Sequence, residues 1–73
     1  MRFYFDVQGG SLASRDSDGL EFPDLRAAIG EARATVLSMS AEAFAEGAES
    51  VTVQVRDTTG HIQATASLAL KIA

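Results

Sequence analysis

The sequence predicts an α+β domain: a two-layer ββαββ unit in which one helix covers one face of a four-stranded antiparallel sheet. Three patterns carry that expectation. Residues towards both ends alternate apolar and polar, the period of a half-buried strand. The middle repeats with the helical period instead. The changes of period fall on Gly, Pro and Asp, the residues that punctuate chains.

Phe3, Phe5 and Val7 alternate with Arg2, Tyr4 and Asp6 to give the first strand, which Gly9-Gly10 ends. Gln8 to Gly19 then reads as one long loop, closed by the turn chemistry of Asp16-Ser17-Asp18-Gly19. Leu20 and Phe22 share a face across Glu21 in a short second strand. Pro23 halts it, having no N–H to give to a ladder. Asp24 is placed to cap a helix that runs from Leu25 to about Glu46. At 100° per residue, Leu25, Ile29, Ala32, Val36, Met39 and Ala43 form its apolar stripe, and Gly47 follows as the terminating residue. Val51, Val53 and Val55 alternate with Thr52, Gln54 and Arg56 in a third strand. The turn Asp57-Thr58-Thr59-Gly60 leads to a fourth, whose apolar face is Ile62, Ala64, Ala66, Leu68, Leu70 and Ile72.

The expected strand order is 2-1-3-4, with the helix as a right-handed crossover between strands 2 and 3. The predicted core is Phe3, Phe5, Val7, Leu20, Phe22, Leu25, Ile29, Val36, Met39, Val51, Val53, Val55, Ile62 and Leu68.

The 73 residues make a single domain, spanning 1–73, and the absence of cysteine excludes disulfides and thiolate metal sites. Ten acids against six bases give a net charge of −4, which disfavours nonspecific binding to nucleic acid or anionic membrane. Nothing in the chain is apolar for long enough to span a bilayer, and Asp6 interrupts the N-terminal apolar run with no cleavage site after it. A cytoplasmic location is the expectation.

Chemistry finds few footholds. Ser14-x-Asp16-x-Asp18-Gly19 resembles half a calcium loop, but Leu25 stands where the bidentate glutamate belongs. His61 is the only histidine and lies beside a turn, and Gly9-Gly10 lacks the Lys-Ser/Thr of a phosphate loop. No enzymatic activity, metal or cofactor is expected. Arg2, Tyr4 and Arg56 share the polar sheet face with Thr52, Gln54, Gln63 and Thr65, where an aromatic between arginines could stack a single-stranded base. One aromatic is few for that task, and Asp6 sits in the same row.

Element lengths point elsewhere. A 25–46 helix runs ~33 Å, and an extended 61–72 segment runs ~36–40 Å, against a compact diameter of ~28–30 Å. A second copy could cover the excess at either of two surfaces. One is the last strand, with Leu68 and Leu70, whose edge only Lys71 guards. The other is a helix flank where Gly30, Ala34 and Ala41 form a small-residue strip beside Leu37 and Phe44; close backbone approach would rationalise Gly30.

Tyr4-Phe5-Asp6-Val7, Asp18-Gly19-Leu20-Glu21-Phe22-Pro23-Asp24-Leu25, Ala27-Ala28, Glu31-Ala32 and the closing Asp57-Thr58-Thr59-Gly60 resemble a short bacterial domain of unknown function, family 6894. The resemblance spans most of the chain and implies no catalytic residue. Asp6 stands where that family commonly has histidine, Arg26 where it has an acid, and Gly30 interrupts the helix. The passage through Pro23-Asp24-Leu25 into an alanine-rich helix is also similar to antitoxins of the HicB type. Those generally have a longer chain and often a separate DNA-binding segment, which is not expected here with the sequence ending at Ala73. The expected function is a non-enzymatic protein–protein module acting as a homodimer. Its rival is a regulator that contacts nucleic acid through Arg2, Tyr4 and Arg56.

Overall fold

Alternation in Arg2–Gly9 produces β1, the hub of the sheet in a computed structural model that describes residues 1–73. Around it stand β2 (Leu12–Ser14), β3 (Leu20–Glu21), α1 (Leu25–Ala45), β4 (Ser50–Arg56) and β5 (Ile62–Ala69). The α+β class holds, with one helix and an all-antiparallel sheet in the order β2-β1-β4-β5. The sheet has five strands rather than four, because β2 and β3 both pair with the same edge of β1. β2 lies inside the stretch expected to be loop. Gly10-Ser11 closes a two-residue hairpin with Gly9 opposite Leu12, and Gly10 adopts φ 58°, the left-handed region such turns demand.

Asp24 caps α1 as its position predicts, its carboxylate accepting from the Ala27 N–H at 2.8 Å. Gly47, at φ 105°, follows the helix end. The helix lies over β4 and β5 more than over β1, and its contact line runs along small residues: Ala28, Ala32, Val36, Ser40 and Ala43 are buried. Leu25, Ile29 and Met39, expected in the core, are half-buried beside that line. Small side chains let the helix sit close to the sheet, where Phe3, Val51, Val53 and Val55 fill the space. Ser40 is accommodated because its hydroxyl donates back to the Val36 carbonyl.

Two predicted core residues are outside. Leu20 is 51% exposed, since β3 lies at the edge furthest from the helix. Phe22 covers β1 in its place, with ring centroids 5.7 Å from Phe5 and 6.4 Å from Phe3. Ile62 is 55% exposed for a different reason. Val55 faces Ala64 but Arg56 faces Ile62, so Gln63 is an extra residue, a β-bulge. One inserted residue reverses the alternation, and Ile62 falls on the polar face beside Arg56.

Candidate functional site

Polar residues at alternate positions of β1 and β4 line the open face of the sheet, and there the structure gathers Tyr4, Asp6 and Arg56. Tyr4 is directly opposite Arg56, so the guanidinium lies 4.7 Å above its ring, a cation–π contact. Asp6 is the diagonal neighbour. It accepts Arg56 Nε at 2.7 Å and Nη2 at 3.3 Å in a fork-shaped pair. Arg56 Nη2 also donates to the Asp16 carbonyl.

Asp16 organises the loop before β3. Its carboxylate accepts from the Phe5 N–H (3.1 Å), the Asp18 N–H (3.1 Å) and the Gly19 N–H (3.1 Å), while its own N–H donates to Asp6 at 3.0 Å. Gly19 then packs against the sheet at φ 72°, where a Cβ would meet the Phe3 carbonyl at 2.9 Å and the Tyr4 ring at 3.0 Å. Only glycine fits there. Arg2 donates to the Asp18 carbonyl at 2.8 Å. Burial pushes the Asp6 and Asp16 carboxyls up, yet the Arg56 hydrogen bond on Asp6 and the backbone N–H groups on Asp16 outweigh it, so both lie below the ordinary carboxylate value. The Asp6 hydrogen bond raises Arg56. Of the three residues expected to contact nucleic acid, Arg2 and Arg56 bond loop carbonyls, and Tyr4 lies beneath the Arg56 guanidinium. Asp16 and its clamp were not visible in the sequence, where its spacing suggested only a turn.

At the second hairpin, Asp57 accepts from Thr59 Oγ1 (2.6 Å), the Thr59 N–H (2.9 Å), the His61 N–H (3.0 Å) and Gln63 Nε2 (2.8 Å). The Thr59 hydroxyl bond leads in lowering its carboxyl to about 2. Because the Thr59 hydroxyl proton goes to Asp57, the contact between Thr59 Oγ1 and His61 Nδ1 (3.1 Å) runs with the imidazole as donor. These groups cap a turn.

Of the residues expected at the two interface surfaces, Leu37 of the helix flank and Leu68 of the last strand line a common groove. Ile29, Arg33, Val36 and Leu37 of α1 line one groove with Thr65, Ala66, Ser67 and Leu68 of β5. Leu37 is 65% exposed and Leu70 45% exposed. Phe44 and Leu68 are half-buried and pack on the core, so Phe44 belongs to the interior as much as to a flank. Gly30, Ala34 and Ala41 face solvent, and a Cβ at Gly30 would meet nothing within 4 Å. No second backbone approaches it within the chain. Gly30→Ala is expected to stabilise the fold by about 1 kcal/mol, read as a higher urea midpoint with unchanged m-value; a lower midpoint would reveal a constraint at that position.

No helix is long and apolar enough to cross a membrane. No curated protein and no solved structure matches the chain. A family model described as a domain of unknown function (DUF6894) matches residues 2–69, and the chain belongs to that family.

Proposed function

We propose that this protein is a cytoplasmic, non-enzymatic interaction module that works as a homodimer joined through β5 and the adjacent helix flank. The observation that carries this reading is the outer edge of β5. It is eight residues long with no proline, lysine or inward charge along it, and only the Gln63 bulge interrupts it. Proteins ordinarily blunt such an edge, because its free N–H and C=O groups template further pairing. The opposite edge of the sheet is broken into the short β2 and β3.

Shape and area support the same reading. The radius of gyration is 12.4 Å, and the extents are 40 × 20 × 17 Å. A compact chain of this length has a radius of gyration near 11 Å. Eight strand residues span about 27 Å. Combined with the cross-section of the slab, that gives roughly 500 Å² per copy and about 1,000 Å² in all, the lower bound for a specific interface. A second copy meets that requirement only if strand edge and helix flank are buried together.

Sedimentation at high micromolar concentration is expected to give twice the 7.7 kDa chain mass. Raising salt should change the association severalfold at most, apolar burial offsetting the screening of any rim charges, whereas phosphate contacts through Arg2, Tyr4 and Arg56 would weaken steeply. Leu37→Glu and Thr65→Pro should each keep the circular dichroism of the fold while weakening the dimer at least tenfold, about 1.4 kcal/mol. A monomer at every concentration, or a dimer indifferent to both substitutions, overturns the reading.

A further inference from the structure

The geometry of β5 goes further than a surface: we infer that two copies pair β5 against β5, antiparallel, about a two-fold axis at Ser67. The inference rests on the homodimer reading and deepens it to a register.

Backbone direction comes first. The Leu70 N–H donates to the Glu49 carbonyl at 2.9 Å, so even-numbered residues from Ala64 onwards turn their N–H and C=O towards β4. Thr65, Ser67 and Ala69 turn theirs outward by alternation. Antiparallel pairing joins outward residues to outward residues, which restricts the register to a few choices. Centring on Ser67 sets Ser67 against itself and Thr65 against Ala69 of the second copy, using every outward group and giving about six main-chain hydrogen bonds. Centring on Ala66 forces Ala69 against the bulged Gln63. Centring on Leu68 puts two of its four outward, hydrogen-bonding pairs on Lys71, beyond the end of β5, whereas centring on Ser67 keeps all three of its outward pairs inside the strand.

Side-chain volumes fit the same register. On the helix side, Leu68 falls opposite Ala66 of the second copy, and Leu70 falls opposite Ala64, large against small in both cases. Leu70, beyond the last strand residue Ala69, thereby gains cover. Charge fits as well. Lys71 comes opposite Gln63 of the second copy, whose amide already holds the Asp57 carboxylate at 2.8 Å. Each end of the paired strands thus brings one cation to one anion. A dimer joined this way carries one continuous antiparallel sheet through both chains, with the two open faces on the same side.

Single cysteines placed in the whole chain test the register, since the protein has none of its own. Ser67 is exposed, and Ser67→Cys treated with a short bis-maleimide is expected to cross-link at least tenfold faster than Thr59→Cys, at the exposed tip of the hairpin. Lys71→Glu is expected to weaken the dimer roughly threefold to tenfold at low salt and much less at high salt. Sedimentation of the same samples separates the outcomes. A dimer in which Ser67→Cys cross-links no faster than Thr59→Cys overturns this register and leaves the homodimer standing. A monomer overturns both.

Discussion

Val53→Asp is expected to leave the chain unfolded at neutral pH. Val53 is fully buried in β4, with Val7 of β1 on one side, Ala66 of β5 on the other and the helix above. A carboxylate there meets no cation: the nearest charge pair, Asp6 with Arg56, is on the opposite face of the sheet. Leaving a charge uncompensated in such a place costs several kcal/mol, and the valine burial is lost as well. A domain of this length has about 4–11 kcal/mol of stability to lose, and a thin two-layer slab with 14 of 73 residues buried belongs to the lower part of that range. The check is urea unfolding followed by far-ultraviolet circular dichroism: no cooperative transition should survive. Thr52→Asp, one residue away on the open face, is the control and should shift stability by about 1 kcal/mol or less. A cooperative Val53→Asp variant with a midpoint near wild type would mean that the packing of helix on sheet is wrong.

The reading of β1, α1, β4 and the helix cap from sequence succeeded because each rests on a local rule. Alternation places Phe3, Phe5 and Val7 on one face without reference to any other part of the chain. The failures are tertiary. The bulge that exposes Ile62 is a property of the β4–β5 register, and no residue in the β5 sequence announces it. Hydrophobicity favoured Ile29 and Met39 over Ala28 and Ser40, yet close approach of helix to sheet selects small residues at the contact line. β2 was legible in principle, since Gly9-Gly10-Ser11 is hairpin chemistry, but a three-residue strand has too little alternation to register.

The candidate surfaces divide in the same way. Leu37 and the open β5 edge could be named from spacing alone. Their coincidence in one groove depends on the helix lying over β4 and β5. On the open face, strand alternation placed Arg2, Tyr4, Asp6 and Arg56 together but could not show that Asp6 and the Asp16 carbonyl occupy the Arg56 guanidinium. The Arg56 guanidinium is the centre of an internal clamp. A histidine at position 6 would face Arg56 without the carboxylate fork that Asp6 supplies.

Asp16→Ala is expected to loosen that clamp and to reduce stability by about 2–3 kcal/mol at pH 7, from three charge-assisted hydrogen bonds to backbone N–H groups, discounted for the water that reaches the loop. The Phe5 N–H loses its side-chain partner, the Asp18 and Gly19 N–H groups lose theirs, and Asp6 keeps Arg56 but is no longer tied to a fixed loop. The effect should depend on pH in a definite sense. Asp6 and Asp16 have folded-state values below the ordinary carboxylate value of about 3.9, so the unfolded chain binds protons first as pH falls. Their stabilisation is therefore complete above about pH 5 and is lost progressively as pH drops through their depressed folded values. Asp57, lowered to about 2, loses its charge at the acid end of the same range. Wild type should lose urea resistance steeply below pH 4, and Asp16→Ala should lose it on a shallower slope, the two curves converging once pH has fallen through the depressed Asp16 value. Parallel curves would assign Asp16 a purely steric part in the loop. Asp16→Asn, which keeps an acceptor oxygen but no charge, should fall between them at pH 7 and follow the shallower slope into acid, because the proton linkage belongs to the carboxylate and not to the shape of the turn.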